Sequence, residues 1–177
     1  MEKSRDELHR LISDLTRQMK EQFTKRFAQI AQHFTQTFRE LFGGGTAKLQ
    51  LTDADHVLES GIDISVQPPG KIVSHLESLS GGEKALVAIS LYFAIMKVSP
   101  PPFCMLDEIE AALDDVNVTR FAAYLRRMTP HTQFILITHR RGSMEGADVL
   151  YGVTMQDEGI SRILELHPDE ITGYAER

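Results

Sequence analysis

Apolar residues recur at Leu8, Ile12, Leu15, Met19, Phe23, Phe27, Ile30, Phe34, Phe38 and Leu41, every step being three or four. Lys, Arg, Gln, Glu and Thr dominate the positions between them. That spacing holds one stripe on one face and predicts a single helix over residues 1–42. The helix is much longer than a usual globular one and reads as half of a coiled coil or a long packing helix. Its Phe-rich second half suits a core-facing stripe, whereas its first half has no obvious partner within the chain. The glycines Gly43 to Gly45 end it.

Shorter patterns follow. "AKLQL" and "GIDISVQPPGK" read as strands of a hairpin or meander, closed by Pro68, Pro69 and Gly70. A helix from Ser80 to about Val98 stops at "SPPP", because proline cannot continue a helix and pushes its predecessor into extended geometry. "FCMLDE", the helical stripe of "VNVTRFAAYLRRM" and "QFILITH" give strand, helix, strand. Both strands are apolar throughout, which predicts a βαβ unit in a buried parallel sheet. "DVLYGVTMQDEGISRILEL" predicts two further strands joined at Asp157–Gly159, and the polar tail from His167 is expected to be loosely held.

Composition narrows the class. The 177 residues suffice for one domain with an appendage, and 42% hydrophobic with 25% charged residues is ordinary for a globular chain. A net charge of −6 argues against the whole chain being a polyanion binder. The single cysteine, Cys104, lies in an apolar run and reads as a buried thiol in a reducing compartment. The N-terminus is too polar for a signal peptide. The longest apolar run, Ala85 to Met96, is broken by Ser90 and too short for a bilayer, so no membrane association is expected.

The stretch "HLESLSGGEKALVAISLYFAIM" carries the first chemical question. Ser80 and Glu83 have the spacing of a capping box. Gly81 and Gly82 are not explained by it, since glycine costs roughly 1 kcal/mol relative to alanine in a helix interior. Bare N–H groups at a helix N-terminus favour an anion, and residues without side chains let a phosphate approach. Plain capping and phosphate recognition both fit the stretch taken alone.

A right-handed βαβ crossover brings both strand ends to one sheet edge, where open parallel sheets bind ligands. Asp107 and Glu108 end one strand; Thr138 and His139 end the next. An apolar strand followed by Asp-Glu suits a metal-dependent phosphate hydrolase. Asp107 would hold a hydrated Mg²⁺, Glu108 would orient or deprotonate water, and His139 would donate to the terminal phosphate. The plainer alternative is that Asp-Glu simply opens a helix and His139 is an ordinary loop residue.

"LSGGEK", "FCMLDEIEAALDD" and "FILITHRRGSME" together resemble, in order and spacing, the C-terminal half of the ATPase head of structural maintenance of chromosomes (SMC) proteins. These are a branch of the ABC-type ATPases, and the segment from "THRRGSME" to "ISRILEL" is similar to the bacterial condensin type. The resemblance covers nearly the whole chain. It implies an α/β fold: the C-terminal lobe of a head with a P-loop NTPase-like parallel sheet and flanking helices, residues 43–177, preceded by the returning coiled-coil or neck helix, residues 1–42. It also implies that Leu79, Ser80, Gly81, Gly82, Glu83 and Lys84 form the ABC signature motif, which contacts the γ-phosphate of ATP held by the opposite head. Asp107 then matches the Walker B aspartate that holds Mg²⁺, Glu108 the catalytic glutamate, and His139 the switch histidine. Ala112, Leu113 and Asp114 match the D-loop.

No G-x-x-x-x-G-K-[ST] phosphate loop occurs; "GGGTAK" has the wrong spacing and ending. The expectation is a C-terminal fragment or partial product, inactive alone and completed by the N-terminal half of the same head. The implied partners are that half, a second head in a homodimer, a kleisin subunit with its winged-helix domain and associated regulatory subunit, and DNA through the full complex. The implied location is cytoplasmic and nucleoid-associated. Arg126, Arg127, Arg140 and Arg141 are candidate DNA contacts, though paired surface arginines are usually only solvated. The alternatives are a RecN-like recombination or repair ATPase, and a non-catalytic module that binds a partner through the long helix.

Overall fold

The computed structural model describes residues 2–71, 75–155 and 159–167. They fall into two compact units, residues 1–101 and 102–177.

The first unit is built on helix α1, Glu2–Phe42. Its stripe is unevenly used: Leu8, Ile12, Leu15 and Met19 are exposed, whereas Phe34, Phe38 and Leu41 are fully buried. The buried end packs along α2, Gly81–Val98, and against strand β1, Thr46–Leu51. Phe38 stacks on Phe42 at 4.1 Å between ring centroids, and the Thr35 hydroxyl donates to the Ala47 carbonyl at 2.7 Å. Gly43 has φ +73°, and the Gly44 N–H donates to the Arg39 carbonyl at 2.9 Å. Together they make a Schellman stop, which requires a left-handed residue at Gly43. Gly45 is required for a second reason: a Cβ there would lie 2.3 Å from the Gln67 carbonyl oxygen. β1 pairs antiparallel with β2, Ile62–Gln67, as the expected hairpin. A single 3-10 turn, Leu76–Ser78, leads into α2.

The second unit opens with β3, Phe103–Asp107, then α3, Asp115–Met128, and β4, Gln133–Ile137. β3 and β4 are parallel, in register Asp107↔Ile137, so both ends reach one edge. The parallel pairing among the described residues is confined to these two strands. One expectation is corrected here. The pair is not buried on both faces: Cys104 and Leu106 point inward, while Phe103, Met105, Ile135 and Ile137 are exposed. Side chains alternate across a strand, and the described residues cover one face of this sheet only.

A short helix α4, Arg141–Met144, packs on α3. Gly142 and Gly146 allow this approach, since Cβ atoms there would meet Val118 and Ala122 at 3.1 and 3.0 Å. Strands β5, Leu150–Met155, and β6, Ser161–Leu166, form an antiparallel pair whose apolar residues are largely exposed. The expected turn at Asp157–Gly159 falls mostly outside the described residues, of which Gly159 alone is seen, with φ +74°. The tail beyond His167 lies outside them too.

Candidate functional site

Two groups of residues stand out, one in each unit. In the first unit, Ser80 caps α2. The Glu83 N–H donates to the Ser80 hydroxyl at 3.3 Å; the Ser80 N–H and hydroxyl both donate to Glu83 Oε2 at 2.8 Å. The capping box is therefore complete. Lys71 adds a partner that the spacing did not reveal: its Nζ donates to Glu83 Oε1 at 2.6 Å. That ammonium, followed by the Ser80 N–H and hydroxyl, lowers the Glu83 carboxyl from 4.5 to about 2. Lys84 donates to the Glu77 carbonyl at 3.1 Å, and Leu79 is buried. A Cβ at Gly81 would meet nothing within 4 Å. The fold of this chain makes no demand for glycine there, so capping and internal packing leave Gly81 unexplained. The first N–H groups of a helix have no intrahelical partner; here the Ser80 hydroxyl takes that of Glu83, and Gly81 is exposed.

In the second unit, the strand ends meet as the topology predicts. The Glu108 N–H donates to the Ile137 carbonyl at 3.0 Å, extending the β3–β4 ladder by one residue. His139 Nδ1 lies 3.2 Å from Glu108 Oε1, with both side chains more than half exposed. Glu108 has φ +47°, the one non-glycine residue with a positive φ among those described. Asp107, beside it, is exposed at the end of β3. Asp114 caps α3, its Oδ1 accepting from the Asn117 N–H at 2.8 Å, and Leu113 is buried next to it.

The four arginines weighed as DNA contacts are engaged within the chain. Arg126 pairs with Asp148, Arg127 lies over the Tyr124 ring, and Arg141 pairs with Glu145. Arg140 holds both the Leu113 carbonyl and Asp115 at 2.9 Å.

Sequence reasoning missed Glu110. It is fully buried, and the hydroxyls of Thr138 and Ser143 both donate to its Oε1. Its Oε2 has no partner. The available signal was one carboxylate inside the apolar run "IEAAL".

Among the described residues no group of three or more His, Cys, Asp or Glu could hold a metal by itself. Asp107 offers one carboxylate. That fits a cation which takes few protein ligands and keeps its waters, as Mg²⁺ does. No helix among the described residues is long and apolar enough to cross a membrane.

Comparison with known proteins gives a consistent result. Residues 13–162 match the model of the RecF/RecN/SMC N terminal domain. The chain is 51% identical over 173 residues to the chromosome partition protein Smc of Bacillus subtilis, covering 98% of this chain and 15% of that protein. It therefore spans about a seventh of that relative's length. A chain solved in a study of ATP-driven dimerisation and DNA-stimulated activation of SMC ATPases superposes with a TM-score of 0.78 at 39% identity, covering 89% of this chain and 95% of that one. The Smc head domain of Pyrococcus furiosus, with an extended coiled coil and bound to the C-terminal domain of ScpA, superposes with a TM-score of 0.82 at 38% identity, covering 94% of this chain and 42% of that one.

Proposed function

The chain belongs to the RecF/RecN/SMC family, and from that premise we propose that it is the part of an SMC ATPase head that follows the returning coiled coil. Residues 1–42 are the neck helix and residues 43–177 the C-terminal lobe. The family model is described as an N terminal domain. The order of motifs in this chain, glycine-capped helix, Asp-Glu strand end, histidine strand end, supports the later half of the head. The lobe contributes to binding and hydrolysing ATP between two heads, which drives chromosome condensation and segregation.

The observation that supports this most is the meeting of Glu108 and His139 at the shared edge of β3 and β4. Asp107 is the residue to hold Mg²⁺, which when bound would neutralise phosphate charge. Glu108 orients the attacking water and accepts its proton. A carboxylate only accepts, so the contact with ionised Glu108 puts a proton on His139 Nδ1. His139 then steadies Glu108 through Nδ1; its Nε2 donates toward the terminal phosphate only when the ring carries a proton on both nitrogens. Asp114 fixes the start of α3 along the partner nucleotide. Ser80, Gly81 and Gly82 serve the ATP of the opposite head: the side-chain-free start and the dipole of an 18-residue helix receive its γ-phosphate. Leu79 anchors the motif, while Glu83 and Lys84 tie it down.

The chain contains no phosphate loop of its own, so nothing in it cradles the phosphates in cis. The N-terminal half of the head supplies that loop and covers the exposed Phe103, Met105, Ile135 and Ile137. A kleisin winged-helix domain docks at the exposed apolar side chains of β5 and β6, among them Tyr151, Val153 and Ile163. DNA and the associated regulatory subunit engage the full complex, in the cytoplasm at the nucleoid.

The decisive experiment adds the N-terminal half. This chain alone should give no heat with Mg-ATP in calorimetry. The completed head should bind ATP, dimerise and hydrolyse it. Micromolar ATP binding by the chain alone, or no hydrolysis by the completed head, would sink the reading.

A further inference from the structure

We infer that Glu110 is a positioning residue that locks the loop after β3 to the loop after β4 and thereby sets the Glu108–His139 contact. The inference rests on the roles given to Glu108 and His139 above.

A fully buried carboxyl is costly unless its hydrogen bonds repay the lost water. Glu110 has such bonds on one oxygen only. Thr138 and Ser143 donate to Oε1, while Oε2 has no partner. A position that needed only a filled core would hold leucine or methionine. What the carboxyl adds is two directed contacts beyond β4, one to Thr138 in the loop and one to Ser143 in α4. Thr138 immediately precedes His139, and its hydroxyl oxygen also accepts the Arg140 N–H at 3.0 Å. Through one hydroxyl Glu110 therefore holds both Thr138 and the Arg140 N–H, the two residues that flank His139.

The other loop end is strained. Glu108 sits at φ +47°, and a non-glycine residue in the left-handed region persists only when its surroundings over-determine it. On its N-terminal side the β3–β4 ladder fixes it, through the Ile137 carbonyl. On its C-terminal side the Glu108 carbonyl accepts the Ala111 N–H at 3.0 Å, and the Glu110 carbonyl accepts the Leu113 N–H at 2.9 Å. Those turns stay in place because the Glu110 side chain is anchored between them. Releasing the anchor frees Glu108 to relax and lets Thr138 turn, so both partners move.

The test has two arms. In the 177-residue chain, hydrogen exchange on Glu110→Ala should show the amides of Glu108, Ala111, Leu113 and Arg140 losing protection together, with the α3 interior from Phe121 to Leu125 unchanged. Glu110→Gln keeps an oxygen for the two hydroxyls and should restore most of that protection. If Glu110→Ala does not fold, Thr138→Val and Ser143→Ala each remove one donor and should loosen both loops in part. In the completed head, Glu110→Ala should lower kcat by about 10²-fold, the usual scale for a slightly misplaced catalytic group, with the KM for ATP nearly unchanged, and Glu110→Gln should recover most of kcat. Loss of protection in one loop only, uniform loss across the unit, or wild-type kcat in Glu110→Ala would overturn the inference. If the wild-type completed head does not hydrolyse ATP, the functional reading fails by itself and the exchange arm still decides whether Glu110 couples the loops.

Discussion

Glu108 Oε1 and His139 Nδ1 lie 3.2 Å apart at the ends of adjacent parallel strands, although 31 residues separate them in the chain. Both side chains stay more than half exposed. An exposed polar contact contributes little to stability, charged or not, so this one is better explained by what it presents to solvent than by what it adds to the fold.

The first prediction concerns that carboxylate. Glu108→Gln keeps size and hydrogen bonding but removes the base. In the completed head, hydrolysis should fall by ~10²–10⁴-fold, the usual contribution of a general base, while ATP binding survives. Heads that bind without turnover should accumulate as a dimer. Stopped turnover without any ATP-dependent dimer in sedimentation would contradict the assignment.

The second concerns the backbone of the same residue. At φ +47°, side chains branched at Cβ are the least tolerated. Glu108→Val should therefore lower the melting temperature, by a loss of roughly 1–3 kcal/mol. Glu108→Gly removes strain of about 1–3 kcal/mol but loosens the unfolded chain by about 0.4–1 kcal/mol, so this variant should be as stable as wild type or more so. A glycine variant markedly less stable than wild type would mean that the carboxylate itself holds the fold together.

Much of this arrangement is legible in the sequence. The three-four spacing from Leu8 to Leu41 gives α1, "SGGE" gives the capping box of α2, and apolar runs ending in Asp-Glu and Thr-His give the shared edge. What escapes has physical causes. All-apolar strands announce that both faces want cover, but not that the described chain supplies cover for one, as at Met105 and Ile135. The left-handed Glu108 leaves no trace, because the residue type that signals such a backbone is glycine. Glu110 and Lys71 act through partners 28 and 12 residues away, distances at which periodicity is silent.

The third prediction is a pH dependence. The Glu83 carboxyl is lowered to about 2, chiefly by Lys71 and then by the Ser80 N–H and hydroxyl. A depressed carboxylate contributes stability that is fully present above its unfolded value, about 4.5, and is lost as the pH falls through about 2. Lys71→Met removes the largest cause. Carbon-detected NMR should then find Glu83 titrating closer to 4.5, with the acid loss beginning at higher pH. An unchanged Glu83 midpoint in that variant would show that the ammonium does not govern it.

The fourth concerns the neck helix. Leu8, Ile12, Leu15 and Met19 are exposed, whereas burial is complete from Phe34 to Leu41 along the same stripe. An isolated helical segment gains most of its stability from packing, so its free turns should fray or self-associate. Hydrogen exchange should show weak protection before about Phe23 and strong protection around Phe38, the boundary being approximate because helix ends fray. Strong protection from Leu8 onward in a proven monomer would contradict this.

The last prediction separates the two explanations of the glycines before α2. If capping alone matters, Gly81 is merely a poor helix former in the first turn. A Cβ there meets nothing within 4 Å, and its backbone is not left-handed. Gly81→Ala should then fit without strain and leave the chain as stable as wild type or up to about 1 kcal/mol more stable. If the bare backbone exists for a phosphate held by the opposite head, the same methyl group stands where the phosphate must come. The completed head carrying Gly81→Ala should still bind ATP through the phosphate loop of its own N-terminal half, yet dimerise poorly. Ser80→Arg should act more severely, since a bulky cation fills the space and opposes the helix dipole. Thermal melting reports the first effect and sedimentation in ATP the second, on the same protein. A Gly81→Ala head that melts no lower than wild type but fails to dimerise assigns the glycine to the partner's nucleotide. If Gly81→Ala and Ser80→Arg heads both dimerised and hydrolysed ATP at the wild-type rate, the role across the interface would be wrong, and the capping box of Ser80 and Glu83 would be the whole meaning of the motif.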